Sequence, residues 1–191
     1  MTKAEQRTQA LAARHAAALA DPEAGRRVLA YWPGDLQPRC VAGYRPIRDE
    51  LDPTPLMFRL AEAGGTLCLP VTPPRGSGEP LTFRLWIPGA PLIPSQFGVP
   101  EPGADAPEVE PDLLLVPLLA FSRDGGRLGY GAGHYDRTLT ALRARGPALA
   151  VGLAYAAQER PDLLVEPHDA SLDCILTEAA YIEVRKDIGC A

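Results

Sequence analysis

Residues 111–139 read PDLLLVPLLAFSRDGGRLGYGAGHYDRTL, and the order of residue types along them decides the fold. Asp112–Phe121 is a near-continuous apolar run, the mark of a strand covered on both faces. Ser122–Gly133 is rich in glycine, and the polar-apolar spacing from His134 to Arg145 is helical. Downstream, 147–153 (PALAVGL) and 172–176 (LDCIL) read as further apolar strands. Upstream, 40–46 (CVAGYRP) reads as a strand, and Asp52-Pro53 supplies an N-cap with proline at the first helical position. The helix after it presents Leu56, Met57, Leu60 and Ala61 at core spacing and stops at Gly64-Gly65. Thr66–Pro70 and the alternating 81–87 (LTFRLWI) complete the strands. Strands alternating with helices imply an α/β fold, a parallel or mixed sheet with helices on both faces.

Composition bounds the rest. A chain of 191 residues fits one domain of about 150 residues with an added arm. Apolar residues make up 46% and charged residues 23%, which excludes a disordered or fibrous chain. The excess lies in 21 prolines and 18 glycines, so short elements joined by turn-rich loops are expected. The proline-rich connection Pro88–Pro111 has little periodicity, and a loop of that length in a compact domain is more often functional than idle. A net charge of −5 supplies no global field for nucleic acid or an anionic membrane, and neither is expected as a partner. Cys40, Cys68, Cys174 and Cys190 have no CxxC spacing, and no secretory leader is read before them. A reducing cytoplasm is therefore expected, with Cys68 and Cys174 as small core residues.

The N-terminal stretch Met1–Ala20 is alanine-rich and free of glycine and proline, so it favours a helix. At about 100° per residue, Lys3, Arg7 and Arg14 fall within roughly 40° of one another on one side. Two readings follow: a solvated basic stripe, or an arm that lays three cations against a polyanion.

The chemistry concentrates in RLGYGAGHYDR, Arg127–Arg137. Gly129, Gly131 and Gly133 alternate between a strand and a helix, where glycine admits positive φ and close approach, and the free amides of a helix start favour an anion. The spacing is neither GxxxxGK[ST] nor GxGxxG, which sets aside a Walker loop and a dinucleotide fold. Arg127 before the glycines and Asp136-Arg137 after them surround a phosphate site with both signs of charge. Asp136, on the first helical turn, could hold Mg²⁺ beside phosphate oxygens. Glu166-Pro167-His168-Asp169 offers a second carboxylate, Asp169, with Asp173 as a competitor. His15, His134 and His168 show no metal spacing.

The Pro111–Leu139 run resembles the signature of the 5-formyltetrahydrofolate cyclo-ligase family. Further matches are the Lys3/Arg7/Arg14 arm, YRPIRDELD around Glu50, LPV at Pro70, FGVPEP at Phe97–Pro102 and EPHDASLDCILTE near the C-terminus. The resemblance implies a single three-layer α/β/α domain over 1–191, similar to the sugar-phosphate isomerase and CoA transferase-like fold, with 1–20 a basic helix at the ATP site. It implies ATP- and Mg²⁺-dependent cyclisation of 5-formyltetrahydrofolate, with or without a polyglutamate tail, to 5,10-methenyltetrahydrofolate, by a monomer or weak homodimer. The alternative on the same fold is a folate- or nucleotide-binding homologue without catalysis. Carried over by position, Lys3, Arg7 and Arg14 would contact ATP phosphates. Arg127, Leu128, Gly129, Tyr130, Gly131, Ala132, Gly133, His134 and Tyr135 would form the nucleotide loop. Asp136 and Asp169 match magnesium ligands. Glu50 would recognise the pterin, Phe97 would stack on the folate, Tyr130 and His134 would face it, and Arg45 aligns with a further substrate contact. Arg127, Tyr135 and Arg137 are the residues to which the resemblance gives catalytic roles. The chain departs from the family pattern at Ser122, Ala132 and His134. Ala132 requires a backbone angle that a β-carbon permits, and His134 could make turnover pH-sensitive near neutrality.

Overall fold

The structure is a computed structural model that describes residues 1–184. In chain order its elements are α1 (Lys3–Ala20), α2 (Ala24–Arg27), β1 (Cys40–Ala42), α3 (Thr54–Glu62), β2 (Thr66–Val71), β3 (Thr82–Leu85), β4 (Ile93–Pro94), β5 (Pro100–Glu101), β6 (Leu113–Pro117), β7 (Ala120–Phe121), β8 (Arg127–Leu128), α4 (His134–Arg145), β9 (Leu149–Leu153), β10 (Cys174–Leu176) and β11 (Tyr181–Glu183). The Cys190 position lies outside the described residues.

The central sheet has seven strands in the order β11-β10-β9-β6-β1-β2-β3. Its five inner strands are parallel, and the two edges, β3 and β11, are antiparallel to their neighbours. Side chains alternate between two cores, as the pleat requires. Leu113 and Leu115 of β6 join Leu56, Met57 and Leu60 of α3 on one face. Leu114 and Val116 join Leu139 and Leu142 of α4 on the other. Each of these leucines contributes roughly 1.5–3 kcal/mol by leaving water. The central position of β6 therefore follows from its unbroken apolar run, and the three-layer α/β/α expectation holds.

Several boundaries differ from the sequence reading. The run Asp112–Phe121 is not one strand: β6 ends at Pro117, which lacks an N–H to continue the ladder. The chain then turns out of the sheet, and β7 pairs with β8 in a separate antiparallel ribbon. That turn carries the glycine segment away from the core to a strand end. The strand at 40–46 is limited to β1; Gly43 follows it, where the Met57 side chain leaves no room for a Cβ. α3 begins one residue later than expected, at Thr54, while Asp52 Oδ1 still accepts from the Thr54 N–H at 2.9 Å. The long connection holds a small hairpin, β4–β5, with Phe97 at its tip. The edge strand β11 has no counterpart in the sequence reading. Cys68 and Cys174 are core residues, as expected. Among the described residues no helix is long and apolar enough to cross a membrane.

Candidate active site

A cleft of about 1050 Å³ opens where β2 and β6 end, lined there by Pro70 and Pro117. The C-terminal edge of parallel strands is the usual place for a ligand in an open α/β sheet, because the loops diverge there. α1 forms one wall. It starts at a capping box in which Thr2 and Glu5 satisfy each other's backbone N–H groups. Its buried stripe is Gln6, Ala10 and Arg14. Gln6 fastens it through an N–H to the Asp162 carbonyl at 2.7 Å. The basic stripe is therefore not solvated but turned inward.

Its three cations reach different places. Lys3 Nζ lies 2.8 Å from both Glu166 Oε2 and Asp169 Oδ2. Burial pulls the Lys3 pKa down, but the hydrogen bonds to Asp169 and Glu166 outweigh it and leave it raised. Burial likewise would raise Asp169, and the Lys3 and Glu166 N–H groups instead hold it below its ordinary value. Arg7 Nε donates to the Gly129 carbonyl at 3.0 Å, beside the glycine loop. Arg14 does not line the cleft. Its side chain is 1% exposed, its Nη2 donates to the Tyr130 hydroxyl at 2.7 Å, and its Nη1 stands 3.7 Å from Glu50 Oε1. Arg14, expected at ATP phosphates, is packed by the α1 stripe behind Tyr130 and Glu50.

The glycine loop has the required geometry at two of its three positions. Gly131 has φ +99° and Gly133 has φ +66°, and Gly133 opens α4 with no side-chain cap. The first amides of α4 therefore carry no side-chain cap. Gly129 is outside the left-handed region, so its expected positive φ is corrected. Ala132 is likewise outside it, as its β-carbon demands.

Arg127 and Asp136 close the loop's far side. Arg127 Nη2 donates to Asp136 Oδ1 at 2.6 Å, and Nη1 donates to the Ala170 carbonyl. The Ala170 N–H donates to the same Asp136 oxygen at 3.0 Å. Through Ala170, Asp136 is brought beside the segment that holds Asp169, although 33 residues separate them in sequence. Asp173, the competitor, is buried and accepts from Arg143 and from the Ala150 N–H at 2.7 Å each, so it serves the sheet. The ligand atoms of Glu166, His168 and Asp169 lie within 4.8 Å of one another, a grouping the linear spacing did not show. Carboxylates of Asp169 and Glu166, with that of Asp136 bonded to the adjoining Ala170 N–H, are hard oxygen donors of the kind a Mg²⁺ ion takes, so the donor chemistry suits that cation.

The other end of the cleft is aromatic and acidic. Glu50 Oε2 accepts from the Ile47 N–H at 2.8 Å. Burial raises the Glu50 pKa, against the lowering effect of that N–H, of Arg14 and of Tyr130. Phe97 is 44% exposed, packs edge-on to His134 at 6.2 Å, and lies under the Arg75 guanidinium at 4.6 Å. Arg45 lines the same end. Tyr135 lines the cleft too, and burial raises its hydroxyl pKa well above the ordinary value, so it stays neutral. Arg137 Nη2 donates to the Ala132 carbonyl at 3.0 Å and approaches His134 Nδ1 at 3.3 Å, bracing the loop. Burial first, then Arg137, push the His134 pKa below its ordinary value, so the anticipated sensitivity moves to the acid side of neutrality. Leu128 is 2% exposed and contributes chiefly to packing. Arg75 was not identified from sequence. It sits in the aperiodic 73–80 loop, and nothing local marks its contact with a hairpin more than 20 residues on.

Fold and site together define a three-layer α/β protein with a phosphate-type glycine loop and paired carboxylates at the C-terminal edge of a parallel sheet. The chain belongs to the 5-formyltetrahydrofolate cyclo-ligase family, whose sequence pattern matches residues 1–178. It is 34% identical over 184 residues to the 5-formyltetrahydrofolate cyclo-ligase of Mycolicibacterium smegmatis, covering 92% of this chain and 93% of that one. It is 34% identical over 165 residues to that of Escherichia coli K12, covering 84% and 89%. The NMR structure of Aquifex aeolicus 5,10-methenyltetrahydrofolate synthetase superposes with a TM-score of 0.76 at 31% identity, covering 97% of this chain and 94% of that one.

Proposed function

We propose that this chain cyclises 5-formyltetrahydrofolate to 5,10-methenyltetrahydrofolate, consuming ATP with Mg²⁺ and releasing ADP and phosphate, and that residues 1–191 act as one cytoplasmic unit with α1 as part of the ATP site. The observation that carries this reading is the single cleft of about 1050 Å³ that joins a cationic glycine-loop end to an aromatic-carboxylate end. It is large enough for two ligands to meet. A polyglutamate tail is compatible with the open cleft mouth.

The chemistry asks little of a protein nucleophile. The formyl oxygen attacks the γ-phosphorus of ATP, the bond to the β-phosphate oxygen breaks, and ADP leaves. The neighbouring folate nitrogen, N10, then adds to the activated formyl carbon, loses its proton, and phosphate departs with the former formyl oxygen. Positioning and neutralisation of charge dominate such a transfer. Lys3, Arg7 and the Gly129–Gly133 loop hold the phosphates, with Arg127 fixing Asp136. Asp136, Asp169 and Glu166 would hold Mg²⁺, which when bound neutralises phosphate charge. Glu50 accepts from the donor-rich edge of the pterin, a charge-assisted contact that apolar packing could not replace. Phe97 covers the ring, and Arg45 and His134 border it.

The test mixes the protein with 5-formyltetrahydrofolate, ATP and Mg²⁺ and follows the ultraviolet absorbance of the methenyl product. Product at a rate no greater than that of Asp136→Ala would sink the enzymatic reading. Retained folate binding without turnover would favour the non-catalytic homologue.

A further inference from the structure

Arg14 is the most deeply buried cation of the cleft region, and its bonding is incomplete. Its side chain is 1% exposed, yet among the described residues Nε and Nη1 have no hydrogen-bond partner. A guanidinium stripped of water with a single hydrogen bond persists only where a counter-charge offsets the desolvation. That counter-charge is Glu50, whose side chain is 3% exposed. At 3.7 Å the contact is too long for a hydrogen bond, so Arg14 attracts Glu50 Oε1 without occupying it. Oε2 accepts from the Ile47 N–H, Tyr130 also bonds the carboxylate, and Glu50 lines the cleft.

The turn that carries Glu50 is held from α1 at two neighbouring points. Arg14 faces Glu50, and His15 Nδ1 lies 3.0 Å from Asp49 Oδ2. Arg48, within that turn, has φ +55°. A left-handed angle at a bulky residue is strained and persists only when surrounding contacts over-determine it.

We propose that Arg14 is a positioning residue for the substrate end of the cleft: it fixes the Glu50 carboxylate as a charged acceptor for the pterin edge and has no direct part in nucleotide binding. This rests on the cyclo-ligase reading above. The groups facing Glu50 are Arg14 from α1, Tyr44 after β1, Tyr130 from the glycine loop and Tyr135 from α4. Burial raises all three tyrosine pKa values, so none of the three ionises between about pH 6 and 9.

The experiment measures KM for 5-formyltetrahydrofolate and for ATP separately, between about pH 6 and 9, in wild type, Arg14→Met, Arg14→Lys, Glu50→Gln and the Arg14→Met/Glu50→Gln double variant. Without its cation, Glu50 ionises only at higher pH. Arg14→Met should therefore raise the 5-formyltetrahydrofolate KM about tenfold or more, with a defect that shrinks as pH rises and an ATP KM within about twofold of wild type. Arg14→Lys should restore part of the affinity, leaving a rise of about threefold. In the Glu50→Gln background the Arg14 change should add less than about twofold. A rise in ATP KM as large as that for the folate, or a folate defect that is flat in pH, overturns the proposal. If Arg14→Met melts below the assay temperature, Arg14→Lys carries the test, and unchanged folate KM there is equally fatal. Wild-type protein that forms no methenyl product refutes the functional reading instead.

Discussion

Alanine substitutions along the glycine loop separate backbone conformation from ligand contact. Gly131 has φ +99°, beyond the left-handed well that side chains tolerate, and an added Cβ would lie 3.2 Å from Arg7 Nη2. Gly129, two residues earlier, is outside the positive-φ region and an added Cβ would meet nothing within 4 Å. Backbone strain of this kind costs about 1–3 kcal/mol, whereas a change in open space stays within about 0.5 kcal/mol. For a chain of this size each kcal/mol moves Tm by about 2–4 °C. Taking about 2 kcal/mol, Gly131→Ala should melt about 4–8 °C below wild type, and Gly129→Ala within about 2 °C of it. The same Cβ displaces the Arg7 guanidinium, so Gly131→Ala should also raise KM for ATP about tenfold. Calorimetry and steady-state kinetics on the three proteins read both effects. If Gly129→Ala melts as low as Gly131→Ala, the assignment of strain to one glycine is wrong.

Three further outcomes are expected. Asp173→Asn removes the buried negative charge that faces the Arg143 guanidinium and turns one carboxylate oxygen into an NH2 donor, so stability should fall by about 1–3 kcal/mol in denaturant titration while both KM values hold. The unfolded chain takes a proton on His134 near its ordinary pKa of 6.5, whereas the folded chain, with that pKa depressed, resists it until lower pH. The His134 contribution to stability is therefore lost as pH falls below 6.5, and His134→Tyr should flatten the acid limb of both stability and turnover; an unaltered acid limb would exclude His134 as its source. Lys3→Met leaves the Glu166 and Asp169 carboxylates without their ammonium, so Mn²⁺ binding measured by calorimetry in the absence of nucleotide should tighten while ATP KM rises; weaker Mn²⁺ binding would show that Lys3 does not compete with a cation there.

Much of the fold is legible in the chain because the relevant signals are local. The apolar run through Leu113–Val116 can be buried only on both faces, and the Leu56/Met57/Leu60 spacing makes one helical stripe. The start of α4 at His134 follows from the glycines before it. Strand ends were less legible, since the run Asp112–Phe121 reads as near-continuous in sequence but leaves the sheet at Pro117 in space. The site divides in the same way. The residue types around Arg127–Arg137 and the resemblance they support named the loop, the carboxylates and Glu50.

What the sequence by itself determined is the alternation of helix and strand, the conformational freedom at Gly131 and Gly133, and the charge types that gather near them. Only the tertiary structure decided which charge meets which. Lys3, Arg7 and Arg14 share one side of a helix by arithmetic, yet that helix lies across both ends of the cleft, so the first reaches Asp169, the second the Gly129 carbonyl and the third Glu50. Asp169 and Asp173 are four residues apart and equally acidic, and the end of the loop before β10 sends one to the cleft and the other beneath the sheet edge. Helical spacing fixes an angle about an axis, whereas partners are set by where packing of Gln6, Ala10 and the sheet places that axis, and this depends on contacts distant in sequence.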